Sequence, residues 1–321
     1  MTRVSRFAAL AVAASVLAGC SRLAPTYAPP APTQSRPAAT QRSPRVPAVH
    51  ATIPAPAHPL IGVYEPGSYT QITQFARTTG VQPRIVLYYS AWGEKFQASF
   101  ATAAWDHGAY TFAELEPTNT TLARVAAGYS DSYLKRLAGQ VRDFGHPVIL
   151  SFGHEMNGDW YPWGVGHATP AQFIAAWRHV VQVFRSQGAD NVTWAWTVNA
   201  VDAASPPLRQ WWPGSEWVNW VGVDGYFYFS SDTFSSVFGQ ALAEIRTFTG
   251  DPALIGETAA GPGPDASSQV AALFAGAAAN HLAGLVWYDE AQHNPPYHLD
   301  WHLADDPAAL IAFRLGARRY G

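Results

Sequence analysis

Eight short apolar runs, spaced by helical patterns, limit this chain more than any other feature of its sequence. They fall at residues 60–64, 84–89, 110–115, 148–152, 192–196, 217–224, 253–256 and 282–288. Such runs are too short for helices, and turn-forming residues mark their boundaries, as expected of buried strands. Between them, helical patterns occupy 69–79, 96–104, 131–144, 169–187, 234–248, 269–279 and 307–315. Asp131 is the expected N-cap, with Leu134, Leu137, Val141 and Phe144 on one stripe behind it. Thr169 and Pro170 open the longest helix as a cap followed by proline at the first helical position. The crossover at 197–216 is rich in Pro and Trp and predicts a short or irregular helix. Strands alternating with helices imply a parallel sheet. Eight units, with no Gly-x-Gly-x-x-Gly after the first strand, predict a closed (β/α)8 TIM barrel as a single domain.

That domain takes up residues 59–321, and all 13 tryptophans lie beyond residue 90. Ahead of it the composition changes twice. Arg3 and Arg6 precede an apolar run at 7–16, followed by Leu17-Ala18-Gly19-Cys20, the pattern of a secretory signal. The run is too short to span a bilayer. Leu-Ala-Gly-Cys resembles a bacterial lipobox, so residues 1–20 read as a lipoprotein signal peptide with lipidation at Cys20. Cys20 is the only cysteine, which excludes an intramolecular disulfide. Residues 21–58 are Pro- and Ala-rich, lack Trp and Phe, and read as a disordered linker. An exported lipoprotein of the cell envelope is expected, held at a membrane through Cys20 and acting as a monomer. The formal net charge of −3 gives no reason to expect a nucleic-acid partner.

A TIM barrel places its active site at the C-terminal ends of its strands. Those ends carry Tyr64-Glu65, Tyr89-Ser90, Glu114-Leu115-Glu116, His154-Glu155, Trp196 with Asn199, Asp224-Gly225-Tyr226, Glu257, and Trp287-Tyr288-Asp289-Glu290. Carboxylates under tryptophan and tyrosine rings suit a sugar: acids move protons while flat rings cover the apolar face of a pyranose. A helical zinc site would need His-Glu-x-x-His, but the fifth place is Gly158. No other metal-ligand cluster stands out, and no cofactor is implied. Glycoside hydrolysis needs two carboxyls, one protonated and one ionised. Glu155 and Glu257 are the best pair, with Glu114 and Glu116 as the rival carboxylates.

The stretch His154-Glu155-Met156-Asn157-Gly158, with Trp160 and Trp163, closely resembles the signature of glycoside hydrolase family 26, which contains β-mannanases and related β-glycanases. The likeness extends over about residues 60–316. It implies a retaining hydrolase with the acid/base on strand four, Glu155, and the nucleophile on strand seven, Glu257. It further implies sugar contacts from His154 and from Trp160 near the −1 sugar, and a nucleophile hydrogen bond from Tyr226. Trp287 would be the strand-eight tryptophan that floors the −1 subsite. Trp163 is a second-choice platform, alongside Trp92, Trp196, Trp211 and Trp212. The expected substrate is a β-linked polysaccharide, foremost a β-1,4-mannan cleaved internally. Activity on β-1,3-xylan or mixed-linkage β-glucan is the alternative within the same fold, and a non-catalytic carbohydrate-binding barrel the alternative outside it.

Overall fold

In the computed structural model the eight runs form eight parallel strands, closed into a barrel in chain order with the last paired to the first. The strands are β1 (Leu60–Tyr64), β2 (Ile85–Ala91), β3 (Tyr110–Glu116) and β4 (Val148–Phe152), then β5 (Val192–Asn199), β6 (Trp220–Asp224), β7 (Ala253–Thr258) and β8 (Gly284–Tyr288). The helices are α1 (Tyr69–Thr79), α2 (Ala98–Asp106), α3 (Leu122–Ala126) and α4 (Asp131–Phe144), then α5 (Pro170–Ser186), α6 (Gln240–Ile245), α7 (Ala266–Ala279) and α8 (Pro307–Tyr320). The structure describes residues 52–201, 205–261, 263–291 and 299–321. The signal-like segment 1–20 with Cys20, and residues 21–51 of the linker, lie outside them.

Local chemistry sets the helix boundaries. Ser68 and Gln71 form a capping box at the start of α1, and Thr169 and Gln172 form another before α5. Gly80 and Gly145 end α1 and α4 in the left-handed conformation. The expected stripe on α4 buries Leu134, Leu137 and Val141. In the fifth crossover the only regular element among the described residues is a 3₁₀ turn, Leu208–Trp211, in line with its proline content. Ahead of α6 the chain winds a single π turn, Ser235–Gly239.

Strand alternation sorts the side chains into two shells. Ile85, Leu87, Phe112, Ile149, Ala195, Trp220, Leu254 and Val286 cluster inside the barrel. Their neighbours of opposite parity, such as Val86, Leu150, Val221, Ile255 and Leu285, join the larger core beneath the helices. Continued to the C-terminal ends, the inward parity reaches Tyr64, Tyr89, Glu114, Glu116, Asn199, Asp224 and Tyr288. The barrel thus delivers phenols and carboxyls to its mouth on the same strands that fill its interior with apolar side chains.

On β7, parity alone would send Glu257 to the wrong side. The register shifts there, so that Asp224 of β6 lies opposite Glu257 instead of Gly256. This bulge re-aims Glu257 into the mouth. Gly256 is required beside it, because a Cβ at that position would run into the Asp224 carboxyl.

Ile53, from the Pro- and Ala-rich stretch, belongs to the inner cluster and is buried. Its N–H donates to Thr193 Oγ1 near the start of β5 at 2.7 Å, which seats it at the N-terminal end of the barrel. Ile53→Ala should therefore destabilise the domain by about 2–4 kcal/mol, the usual cost of emptying a buried aliphatic site. Urea unfolding checks this, and an unchanged midpoint would show that Ile53 does not close the barrel.

Candidate active site

Glu155 stands just beyond β4 with φ +50°, a left-handed backbone that side-chain-bearing residues seldom adopt. Such strain persists only where surrounding bonds enforce it. Glu155 N–H donates to Thr197 O at 3.0 Å, and Gly158 N–H donates to Glu155 O at 2.9 Å. Asn157 and Asn199 exchange amide bonds at 2.9 Å in both directions, fastening the loop to the end of β5. The carboxyl is then gripped on both oxygens. Asn199 Nδ2 donates to Oε1 at 2.5 Å, and Trp160 Nε1 donates to Oε2 at 2.9 Å.

Glu257 is held in the same manner by phenols. Tyr89 OH donates to Oε1 at 2.5 Å and Tyr226 OH to Oε2 at 2.6 Å. Burial and the charge of Glu257 push both tyrosine pKa values well above the usual range, so each keeps its proton.

His154 lies between Glu114 and Tyr161. Its Nδ1 is 2.6 Å from Glu114 Oε2, a fully buried ion pair. The Nε2–H donates to Tyr161 OH at 3.0 Å. Burial works against the imidazolium, but Glu114 outweighs it, aided by Glu116 and Glu257, and lifts the pKa to about 10. His154 is thus a buried cation among acids. Tyr161 in turn stacks on Trp163 at 4.3 Å, and Trp163 Nε1 donates to His154 O at 2.7 Å.

Burial raises both candidate acids. Glu257 goes up to about 7 through burial first and the Glu155 charge second, with His154 and Tyr226 pulling the other way. Burial also raises Glu155, while His154, Asn199 and Trp160 restrain the rise. Each therefore disfavours ionisation of the other, so the pair tends to hold one proton. Asp224 is fully buried and pushed well above the carboxylate range, first by burial and then by Glu257. Glu114, His154 and Glu257 bring one donor atom each within 4.8 Å of one another. The Glu257 oxygens already accept hydrogen bonds from the two phenols there.

Of the sequence-expected site residues, the structure brings together His154, Glu155, Trp160, Tyr226 and Glu257. Glu114 underlies His154, and burial raises the pKa of the half-buried Glu116 beside it. Trp163 is 1% exposed and braces the loop instead of offering a platform. Trp196 and Trp211 are likewise buried, whereas Trp92 and Trp212 are half-buried. Trp287 is a correction. It has the outward parity of Leu285, is 1% exposed, and packs edge-on against Phe313 of α8 at 5.7 Å. Its Nε1 donates to Asp289 Oδ1 at 3.1 Å and to Trp301 O at 3.0 Å. The ring at the mouth is the next residue. Tyr288 stacks on Tyr64 at 4.7 Å and stands edge-on to Tyr226 at 5.9 Å. Its hydroxyl donates to Glu290 Oε2 at 3.0 Å. Tyr89, Asn199, Tyr161 and Tyr288 therefore join the site. Tyr89, Asn199 and Tyr288 stand at strand ends in the sequence, but nothing local marks Tyr89 and Asn199 as partners of Glu257 and Glu155.

The model of glycosyl hydrolase family 26 matches residues 71–257 of the chain. Endoglucanase H of Acetivibrio thermocellus is 28% identical over 267 residues, 77% of this chain and 29% of that one. A mannan endo-1,4-β-mannosidase of Bifidobacterium adolescentis is 28% identical over 109 residues, 33% of this chain and 11% of that one. The chain thus spans under a third of the length of these curated relatives. Among solved structures, the catalytic domain of an endo-β-1,4-mannanase from Bacillus sp. JAMB-750 shares the fold with a TM-score of 0.64 at 17% identity, covering 82% of this chain and 86% of that one.

The phenol grip on Glu257 has a testable sign. Tyr226 favours the ionised form, so Tyr226→Phe should raise the Glu257 pKa above about 7. If ionised Glu257 is what attacks, the acid limb of a kcat/KM profile against pH should move to higher pH and activity below neutrality should fall. An unmoved limb in a folded variant would mean that Tyr226 does not tune this carboxylate.

Proposed function

Because the chain belongs to glycosyl hydrolase family 26, we propose that it is a retaining endo-β-glycanase whose substrate is a β-1,4-mannan. One observation carries the catalytic assignment. Two buried glutamates at the ends of β4 and β7 each have both carboxyl oxygens fixed by donors, under a rim of aromatic rings. Ionised Glu257 attacks the anomeric carbon while Glu155 gives its proton to the glycosidic oxygen as that bond breaks. The product of this step is a glycosyl ester on Glu257. Glu155, now a carboxylate, takes a proton from water, and the water oxygen displaces Glu257. Two inversions retain the anomeric configuration. Asn199 and Trp160 keep the Glu155 carboxyl in place through both steps, and the His154 charge favours the ionised nucleophile. A barrel that only bound sugar would have no use for two acids held in this way.

The mannan assignment draws on the mannosidase relative. A β-glucan is the second possibility, favoured by the endoglucanase relative that aligns over most of the chain. Release of reducing sugar from mannan, glucomannan, mixed-linkage β-glucan and β-1,3-xylan separates them. We also propose that the protein is an exported lipoprotein acylated at Cys20, with the Pro- and Ala-rich stretch as its tether. A single acyl chain anchors only marginally, so multiple acylation is expected there. We further propose that the barrel acts as a monomer; both glutamates and their donors come from one chain, so the site needs no second copy.

Division of labour between the acids is tested by substitution. Glu257→Ala should lower turnover of every substrate by at least about 10³-fold. Glu155→Ala should be far gentler on an aryl glycoside whose leaving group needs no proton. With that variant, added azide should yield the β-glycosyl azide. An inverted first product by NMR, or equal losses for both variants on the aryl glycoside, would overturn the assignment.

A further inference from the structure

Among the described residues, five large apolar side chains are exposed: Trp105, Tyr129, Phe229, Ile311 and Leu315. Trp105 precedes β3 and therefore lies toward the opposite end of the barrel from the glutamates. Ile311 and Leu315 lie on α8. Tyr129 lies between α3 and α4, in the connection that follows β3 on the face where the catalytic strands end. At 71% it is the most exposed of the five.

The ring is nevertheless held in place. The Arg124 guanidinium lies 4.5 Å from its centroid. Tyr129 N–H donates to Arg124 O at 3.1 Å, and Gly128 before it turns the chain with φ +81°. The short helix α3, which carries Arg124, is anchored by buried Leu122 and Val125. The next residue ties Tyr129 to the active site. Ser130 Oγ accepts from Trp92 Nε1 at 3.3 Å, and the Trp92 ring lies 5.8 Å from Phe152, the last residue of β4. Trp92 is itself half-buried at the end of β2.

A rigid phenol displayed to water, backed on one face by a cation and joined by an aromatic path to the strand that presents Glu155, matches what a pyranose face requires. We propose that Tyr129 is a sugar-stacking platform that holds a pyranose unit of a β-linked polysaccharide outside the catalytic subsites. The inference rests on the glycanase reading. It adds that polymer affinity is partly won at the outer edge of the β3 side. Arg124 stiffens the ring and withdraws one face from solvent, which leaves the other to meet the C–H face of the sugar.

The test uses the full chain and two probes, glucomannan and mixed-linkage β-glucan. Tyr129→Ala should raise KM for the polymer that is hydrolysed by about three- to tenfold with kcat unchanged, as expected from the loss of one aromatic contact. Hydrolysis of an aryl monoglycoside, too short to reach Tyr129, should not change. Tyr129→Phe should behave as wild type, since the ring face and not the hydroxyl binds. Leu315→Ala, on the remote α8 surface, is the control and should be silent. In a Glu257→Ala background, affinity electrophoresis through gels containing either polymer should show weaker retardation for Tyr129→Ala. Unchanged polymer KM and retardation for Tyr129→Ala would overturn the platform, as would an equal loss for Tyr129→Phe. If the wild type hydrolyses no β-glycan, the glycanase reading fails, and the retardation arm still decides the platform.

Discussion

The contact between His154 and Glu114 is the interaction on which the site depends. Strand parity drives Glu114, Glu116 and Asp224 toward the barrel mouth, the β7 bulge turns Glu257 to join them, and the β4 loop adds Glu155. Burial raises the pKa of Glu116, Glu155, Asp224 and Glu257. Without compensation, burial and mutual repulsion would keep such a cluster largely protonated, and no nucleophile would be available. The imidazolium lies inside the cluster, is held charged chiefly by Glu114, and offsets the repulsion on both Glu155 and Glu257. Losing either partner would leave the other as an uncompensated buried charge, the costly way to break an ion pair.

The rest of the architecture serves that balance. The Tyr161–Trp163 stack and the Trp163 bond to His154 O keep the imidazole in position. Phenols on Glu257 and amide and indole donors on Glu155 replace water with fixed dipoles that need no reorganisation during reaction. On the β1–β8 side, half-buried Glu65 and buried Asp289 form another carboxyl pair. Burial and the neighbouring Asp289 push Glu65 up to about 9. Asp289 accepts from the Trp287 indole and from Leu303 N–H. A carboxyl pair here is structural, pinning the outer face of β8 so that Tyr288 on the inner face stays at the mouth.

Much of this was legible in the sequence because it rests on period-two alternation and on strong local signals. The eight strands, the Thr169 cap before α5 and the His154-Glu155 motif all read directly from residue order, whereas the cap of α4 falls on Ser130, one residue before the expected Asp131. The same alternation also contained the answer for β8. Val286 lies inside the barrel, so Tyr288 must as well, and Trp287 must face the helices. Motif likeness favoured the tryptophan, and parity corrects it. Three features could not be read. The register shift at Gly256 depends on how β6 and β7 pair, which no local pattern encodes. The bonds from Tyr89 to Glu257 and from Asn199 to Glu155 span 168 and 44 residues. Partners so far apart become neighbours only when the barrel closes. The seat of Ile53 inside the barrel was hidden by its Pro- and Ala-rich surroundings.

The central claim is that Glu257, gripped by Tyr89 and Tyr226, forms the covalent bond to the sugar. Incubation with an activated 2-fluoro glycoside of the hydrolysed sugar should trap that bond, because fluorine slows release of the ester. Peptide mass spectrometry of the labelled protein tests the claim most directly. The account expects one glycosyl adduct, located on Glu257. An adduct on Glu155, Glu114 or Glu116, or turnover with no adduct formed, would contradict it.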